Sequence, residues 1–282
     1  MTNEFAVFIL TYGRASNVKT YKTLRKLGYT GDIKLICSDD DKDLKEYQKR
    51  YGDEVIVFNK KENSDFDLID NSDDWRIVVF ARNVCWKIAK ELGYKYFYQY
   101  DDDYTSFNYR VDGRGKYNTR QTLIKDLDFF FNLLLNYFKK IDAHTLCIAQ
   151  AGDFIGGVSC QVFKKGLSRK AMNSFLCATD KPFQFIGRIN EDTTTYVRLG
   201  SIGLLFFTIC EISLTQELTQ QNKGGLTSTY LDGGTYIKSF YSVIVNPASV
   251  KVSLMGAKNR RLHHKINWNN SVPKIIEEEH KK

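Results

Sequence analysis

Apolar and polar positions divide the chain into two unequal patterns. Through residue 100 they alternate between short apolar runs and helical periodicity. "FAVFIL" (5–10) is continuously apolar, which predicts a strand buried on both faces. Val18, Tyr21 and Leu24 follow at helical spacing, with Ser16 as the expected cap and Gly28 as the stop. "DIKLIC" (32–37) predicts a second strand, a charged helix around Leu44 and Tyr47 comes next, and "EVIVF" (54–58) predicts a third strand. An acidic loop (60–74) leads to a helix over 81–93 with Val84, Ile88 and Leu92 on one face, and "KYFYQY" (95–100) predicts a fourth strand.

Repeated strand–helix units imply right-handed crossovers and a mainly parallel sheet. Beyond residue 110 the alternation stops. Leu123, Leu127, Phe130, Leu134, Phe138 and Ile141 are in phase for one long helix over 122–141, whose "FFFNLLLNYF" core reads as buried. Strands are expected at 145–150 and 156–163, and a helix capped by Asn190 at 190–200. A strand or hairpin is expected at 201–214, and a loop in the Gly- and Thr-rich stretch 223–235. The fold class expected is α/β: one globular domain with a mixed, mainly parallel sheet flanked by helices. Residues 1–110 would form its ligand-binding half and 111–282 its second half.

Composition narrows the function. A hydrophobic fraction of 43% and a charged fraction of 26% are ordinary for a soluble protein. The net charge of +8 favours an anionic partner, such as nucleic acid or nucleotide phosphates. The six cysteines form no CxxC pair and sit mostly among apolar residues, as expected of reduced thiols in a cytoplasmic protein. The N-terminus does not read as a signal peptide, and no run is long enough to cross a membrane. Oligomeric state is silent at this level.

Ligands of parallel sheets bind beyond the carboxyl ends of the strands. There the sequence places "TYGR" with Thr11 and Arg14, "SDDD" with Asp39 and Asp40, and "DDD" with Asp101, Asp102 and Asp103. No glycine-rich phosphate loop follows the first strand, which disfavours dinucleotide dehydrogenases and P-loop enzymes. If residues 101–103 are extended, Asp101 and Asp103 project to one side and can share a hard cation such as Mg2+ or Mn2+, while Asp102 points elsewhere.

The acidic triplet resembles the DxD motif of GT-A nucleotide-sugar glycosyltransferases. Other segments resemble that family's elements in the same order: "FILTYGR", "SDDD", "FARN" with Arg82, "NED" with Glu191 and Asp192, and "RRLHHKINW" with His263, His264 and Trp268. Within the fold, "DDDY", "NED" and "HHKINW" resemble the TET-associated glycosyltransferases of bacteriophages. The resemblance implies a nucleotide-sugar donor, with a UDP-sugar first among the candidates, and Mn2+ or Mg2+ held by Asp101, Asp103 and one of the two histidines. It implies donor contacts from Thr11, Arg14, Asp39, Asp40, Arg82 and Asp102. Asp192, or in second place Glu191, would be the base of an inverting transfer. The implied acceptor is a hydroxymethylated pyrimidine in DNA, 5-hydroxymethylcytosine or 5-hydroxymethyluracil, with Gly156, Gly157 and Trp268 on its side of the site. The implied location is the cytoplasm of an infected host. Basic clusters at 164–170 and 258–265 suit DNA phosphates.

Each motif has a plainer explanation. Acidic residues favour a helix N-terminus whatever its function, and isolated lysines and arginines are common on surfaces. Three rivals therefore remain open at this point. One is a transferase acting on a protein, glycan or small molecule; another is a sugar-nucleotide nucleotidyltransferase. The last is a nucleic-acid-binding protein without catalysis.

Overall fold

The computed structural model describes residues 4–154, 158, 170–217, 237–255 and 260–272. The chain runs β1 (Phe5–Leu10), α1 (Lys19–Lys26), β2 (Asp32–Ser38), α2 (Leu44–Tyr51), β3 (Val55–Phe58), α3 (Val79–Glu91) and β4 (Tyr96–Asp101). It continues through β5 (Tyr104–Val111), β6 (Tyr117–Leu123), α4 (Leu127–Phe138), β7 (Thr145–Gln150), β8 (Ser174–Ala178), α5 (Glu191–Ser201) and β9 (Phe206–Gln216). A helical stretch over 237–245 and the strands β10 (Val250–Met255) and β11 (Arg261–Ile266) follow.

Nine strands form one sheet in the order β3-β2-β1-β4-β8-β7-β9-β5-β6, and β10 and β11 form a separate antiparallel pair. In the large sheet only β5 and β8 run against the rest. The architecture is thus mixed α/β with a mainly one-way sheet, as the sequence predicts. β1 explains the layering. All six of its residues are buried, and alternate side chains enter different cores. Phe5, Val7 and Ile9 pack in a core shared with α1, α2 and α4. Ala6, Phe8 and Leu10 pack in one shared with α3 and α5. Burying each large apolar side chain is worth about 1.5–3 kcal/mol, so this alternation commits β1 to the centre.

Several expectations need correction. Ser16 does not cap α1: the helix starts at Lys19, and its Thr20 amide donates to the Asp102 carbonyl at 3.0 Å. The long helix is shorter than its periodicity suggests, because Leu123 is the last residue of β6. Nor is α4 buried all round: Phe129 and Leu133 face outward. Residues 201–214 do not form a hairpin, since 206–216 is the single strand β9. The strand expected at 156–163, Gly156, Gly157, most of the basic cluster 164–170 and the stretch 223–235 lie outside the described residues. Among the described residues five cysteines are free, and no helix is long and apolar enough to cross a membrane.

Candidate active site

β2, β1 and β4 are parallel neighbours, so Ser38, Leu10 and Asp101 end at one edge of the sheet. The β1–β4 register pairs Leu10 with Asp101, which sets the following residues, Thr11 and Asp102, side by side. Thr11 Oγ1 donates to Asp102 Oδ2 at 2.7 Å, and Arg14 Nη1 pairs with Asp102 Oδ1 at 2.5 Å. Tyr47 of α2 braces the same loop: its hydroxyl lies 2.7 Å from Thr11 Oγ1 and accepts from the Arg14 amide at 2.9 Å. Asp41 accepts from the Gly13 amide at 2.9 Å, where the backbone has a φ of 67°. That conformation favours glycine.

The acidic triplet is not extended. β4 stops at Asp101 and β5 starts at Tyr104, so Asp102 and Asp103 form a turn. The strand-alternation argument for Asp101 and Asp103 therefore fails. Their proximity comes from the turn instead, and it shows electrostatically: Asp103 is the strongest acidic influence on Asp101. Thr20 holds the turn, donating to the Asp101 carbonyl at 2.6 Å and accepting from the Tyr104 amide at 2.9 Å.

The three carboxylates point to different partners. Asp102 faces Thr11 and Arg14. Asp103 Oδ2 accepts from Gln216 at the end of β9 at 3.2 Å, while its buried Oδ1 has no partner among the described residues. Asp101 accepts from Arg82 Nη2 at 3.1 Å. Arg82 lies 1% exposed on α3, and its Nε donates to Glu191 at 2.9 Å. The Phe175 and Phe185 rings lie 5.2 and 5.6 Å from its guanidinium carbon. One buried cation thus joins the end of β4 to the first turn of α5. It does not balance the acids around it. Burial, with Asp103, Asp102 and Asp192 nearby, lifts Asp101 to about 7 against the pull of Arg82. Burial raises Glu191 in the same way, and Asp192 adds to it.

Asp192 occupies the first turn of α5, and its Oδ1 accepts from the Thr193 amide. Asn190 precedes the helix, but its side chain does not cap it. With a φ of 55°, Asn190 donates instead to the Lys238 carbonyl at 2.5 Å and lies 3.3 Å from His264 Nδ1. His264 is thereby tied to the α5 terminus. Burial, with His263, Lys170 and Lys238 nearby, lowers its pKa to about 3, so the imidazole is neutral at ordinary pH. Its buried Nε2 has no partner among the described residues. His263 Nδ1 lies 2.7 Å from the His264 carbonyl. Among the described residues, no group of three or more His, Cys, Asp or Glu side chains gathers where it could hold a metal.

Asp39 is exposed, and Asp40 is held by Lys60 at 2.9 Å and by Ser38. Trp268 stacks on Tyr196 of α5, with ring centroids 6.0 Å apart. A cavity of about 140 Å³ opens between the β1–α1 loop and the acidic turn, lined by Gly13, Arg14, Ser16, Asn17, Lys19, Asp102 and Asp103. Lys19 is ion-paired with Glu217 at its rim.

Sequence reasoning missed Thr20, Tyr47, Asp41, Gln216 and Arg188. Arg188 is 3% exposed, donates to Asp70 at 2.8 Å and to the Ser72 carbonyl at 2.7 Å, and also meets the Asp74 carbonyl. It pins the acidic loop beside the approach to Asn190. Asp41 lies within "SDDD" but is not singled out there; the other four belong to no local motif, and their partners lie far away in sequence.

The TET-associated glycosyltransferase family matches residues 5–225. No curated protein matches the chain. Among solved structures it is similar to the mannosyltransferase PcManGT from Pyrobaculum calidifontis in complex with GDP-Man and Mn2+. The identity is 10% over 78% of this chain and 58% of that one, with a TM-score of 0.47. It is also similar to S. aureus TarS 1-349 in complex with UDP-GlcNAc, at 12% identity over 80% of this chain and 61% of that one, with a TM-score of 0.43. The chain thus spans about three fifths of either structure.

Proposed function

The chain belongs to the TET-associated glycosyltransferase family, and from that premise we propose that it moves a sugar from a UDP-sugar to a hydroxymethylated pyrimidine in DNA. The observation that carries the reading is the Arg82 bridge, which holds the acidic turn after β4 against the carboxylates that open α5. Donor and acceptor chemistry can then share one site. The net charge of +8 suits a polyanionic acceptor.

The residues at the turn suit a hard divalent cation. Asp101 and Asp103 are oxygen donors, Asp103 Oδ1 is buried without a partner among the described residues, and Arg82 and Arg14 leave the surrounding carboxylates in excess. Mn2+ or Mg2+ would be held by Asp101 and Asp103; His264 lies at the α5 terminus, beside Asn190, and does not gather with them. When bound, the ion supplies positive charge that stabilises the departing diphosphate.

The chain's own groups have separable roles. Arg14, at the edge of the cavity and about a quarter exposed, contacts donor phosphate while remaining beside Asp102. Thr11 and Tyr47 hold the loop that carries it. Arg82 is too buried for a donor contact and acts by positioning Asp101 and Glu191. Because Glu191 is committed to Arg82, Asp192 is the better base, taking the proton from the acceptor hydroxymethyl group as its oxygen attacks the anomeric carbon. Direct attack of this kind inverts the sugar centre.

The test is mass spectrometry of nucleosides from hydroxymethylated DNA treated with the protein, Mn2+ or Mg2+ and a panel of nucleotide sugars. A sugar-sized mass gain that needs the cation and is absent from Asp101→Asn/Asp103→Asn is the expected result. Release of UDP without a change in the DNA would move the acceptor to another class. No DNA product with any donor or cation would overturn the DNA assignment.

A further inference from the structure

We infer that the outer face of α4 is the contact surface of a twofold-symmetric dimer, its occupant a second copy of this chain. The inner face already has its partners: Leu127, Phe130, Leu134 and Phe138 are buried in the core. On the outer face Phe129 is 63% exposed, Leu133 55% and Tyr137 39%. Residues four apart lie one above another on a helix, so these three form a continuous stripe. Single exposed apolar residues are common and need no account. A row of three on a helix that is also apolar inside is the pattern of a helix buried from both sides.

The charges at its ends indicate what covers the stripe. Asp126 immediately precedes α4 and Lys140 follows its last turn; both are exposed. They flank the stripe at its two ends, Asp126 as the N-cap and Lys140 one residue beyond the C-cap. Asp126 and Lys140 are equally distant from Leu133 along the chain, and so are Phe129 and Tyr137. A second copy laid antiparallel, with its twofold axis at Leu133, sets Leu133 on its own counterpart and Phe129 on Tyr137. Asp126 then meets Lys140 twice. The stripe is self-complementary in shape class and in charge, which an isologous contact requires. A parallel arrangement would instead set like charges together.

Two of these groups are already ordered. The Asp126 carboxylate accepts from the Phe129 amide at 2.9 Å, and the Tyr137 ring stands edge-on to Phe207 at 5.9 Å. None of the residues belongs to the proposed active site, so the inference stands or falls independently of the acceptor.

The experiment is sedimentation velocity on the full chain over a wide range of protein concentration. A reversible dimer is expected, with Leu133→Glu raising its dissociation constant by at least about tenfold, because two like charges then meet on the axis. Lys140→Glu and Asp126→Lys should each weaken self-association. An equimolar mixture of the two should recover it as a heterodimer, since each charge then finds its opposite. Circular dichroism checks that each variant is folded. If Asp126→Lys loses its helix cap and unfolds, Leu133→Glu and Lys140→Glu decide the matter. A chain monomeric throughout, or a dimer indifferent to both substitutions, overturns the inference.

Discussion

Arg82 and Glu191 meet at 2.9 Å although 109 residues separate them in the chain, and both are buried. The same guanidinium reaches Asp101, so the two halves of the site are connected through one side chain. Removing either end of such a pair leaves an uncompensated charge in the interior.

Arg82→Met should therefore destabilise the fold by about 3–5 kcal/mol. Urea denaturation measures this directly. Arg82→Lys keeps the charge but not the forked geometry, and should recover much of the stability while transfer stays impaired. Equal recovery of both would reduce Arg82 to a charge without a positioning role.

Asp103→Asn should behave in the opposite way. Burial and the neighbouring Asp102 disfavour the Asp103 carboxylate, so a neutral amide there should leave stability unchanged or slightly higher. Transfer should nevertheless fall by about a hundredfold or more if the carboxylate holds the cation. Thermal melts and turnover on the same preparation give both numbers; melts repeated with added Mn2+ should show stabilisation in the wild type and little in the variant.

The pH dependence has a definite sign. Asp101 titrates at about 7 when folded, against an ordinary 3.8. Between those values the folded chain keeps a proton that the unfolded chain has released. This contribution to stability is therefore full below about pH 4 and is lost as pH rises through 7. The stability difference between wild type and Asp101→Asn should shift against the wild type over that interval in the absence of divalent cation. If Asp101 holds the cation as proposed, Mn2+ competes with the proton, and its apparent affinity should tighten with rising pH up to about 7 and then level off. Denaturation and metal titrations at several pH values check both.

Asp192→Asn should reduce turnover by about 10²–10⁴-fold with little change in UDP affinity, as expected for the loss of a general base. Glu191→Gln should act mainly on stability, since it weakens the bond to Arg82. Parallel measurements of turnover, UDP binding and unfolding separate the two; a reversed pattern would exchange their roles.

The first half of the fold was legible because its signals are local. β1 is continuously apolar, and α3 repeats its apolar face along one short segment. The ends of β1, β2 and β4 could be grouped because parallel strands share a direction. The second half was less legible. Leu123 lies in phase with the α4 repeat yet belongs to β6, and β5 starts immediately after a turn that reads as the end of a pattern. Within the site, residue types at the strand ends were visible. Their pairings were not, because the Leu10–Asp101 register that joins Thr11 to Asp102 is a property of the assembled sheet. The same holds for Arg188 and Asp70, which are far apart in the chain and share no motif.

The Arg14–Asp102 pair changes how donor binding should be viewed. Before any ligand arrives, Asp102 already acts as an internal anion at the guanidinium. A weakly charged ligand would only exchange one carboxylate-like partner for another and gain little. A diphosphate, which brings more charge and several acceptor oxygens, can share Arg14 with Asp102 instead of replacing it. If Arg14 receives the donor as proposed, the resting ion pair sets a threshold that discriminates among anions by their charge.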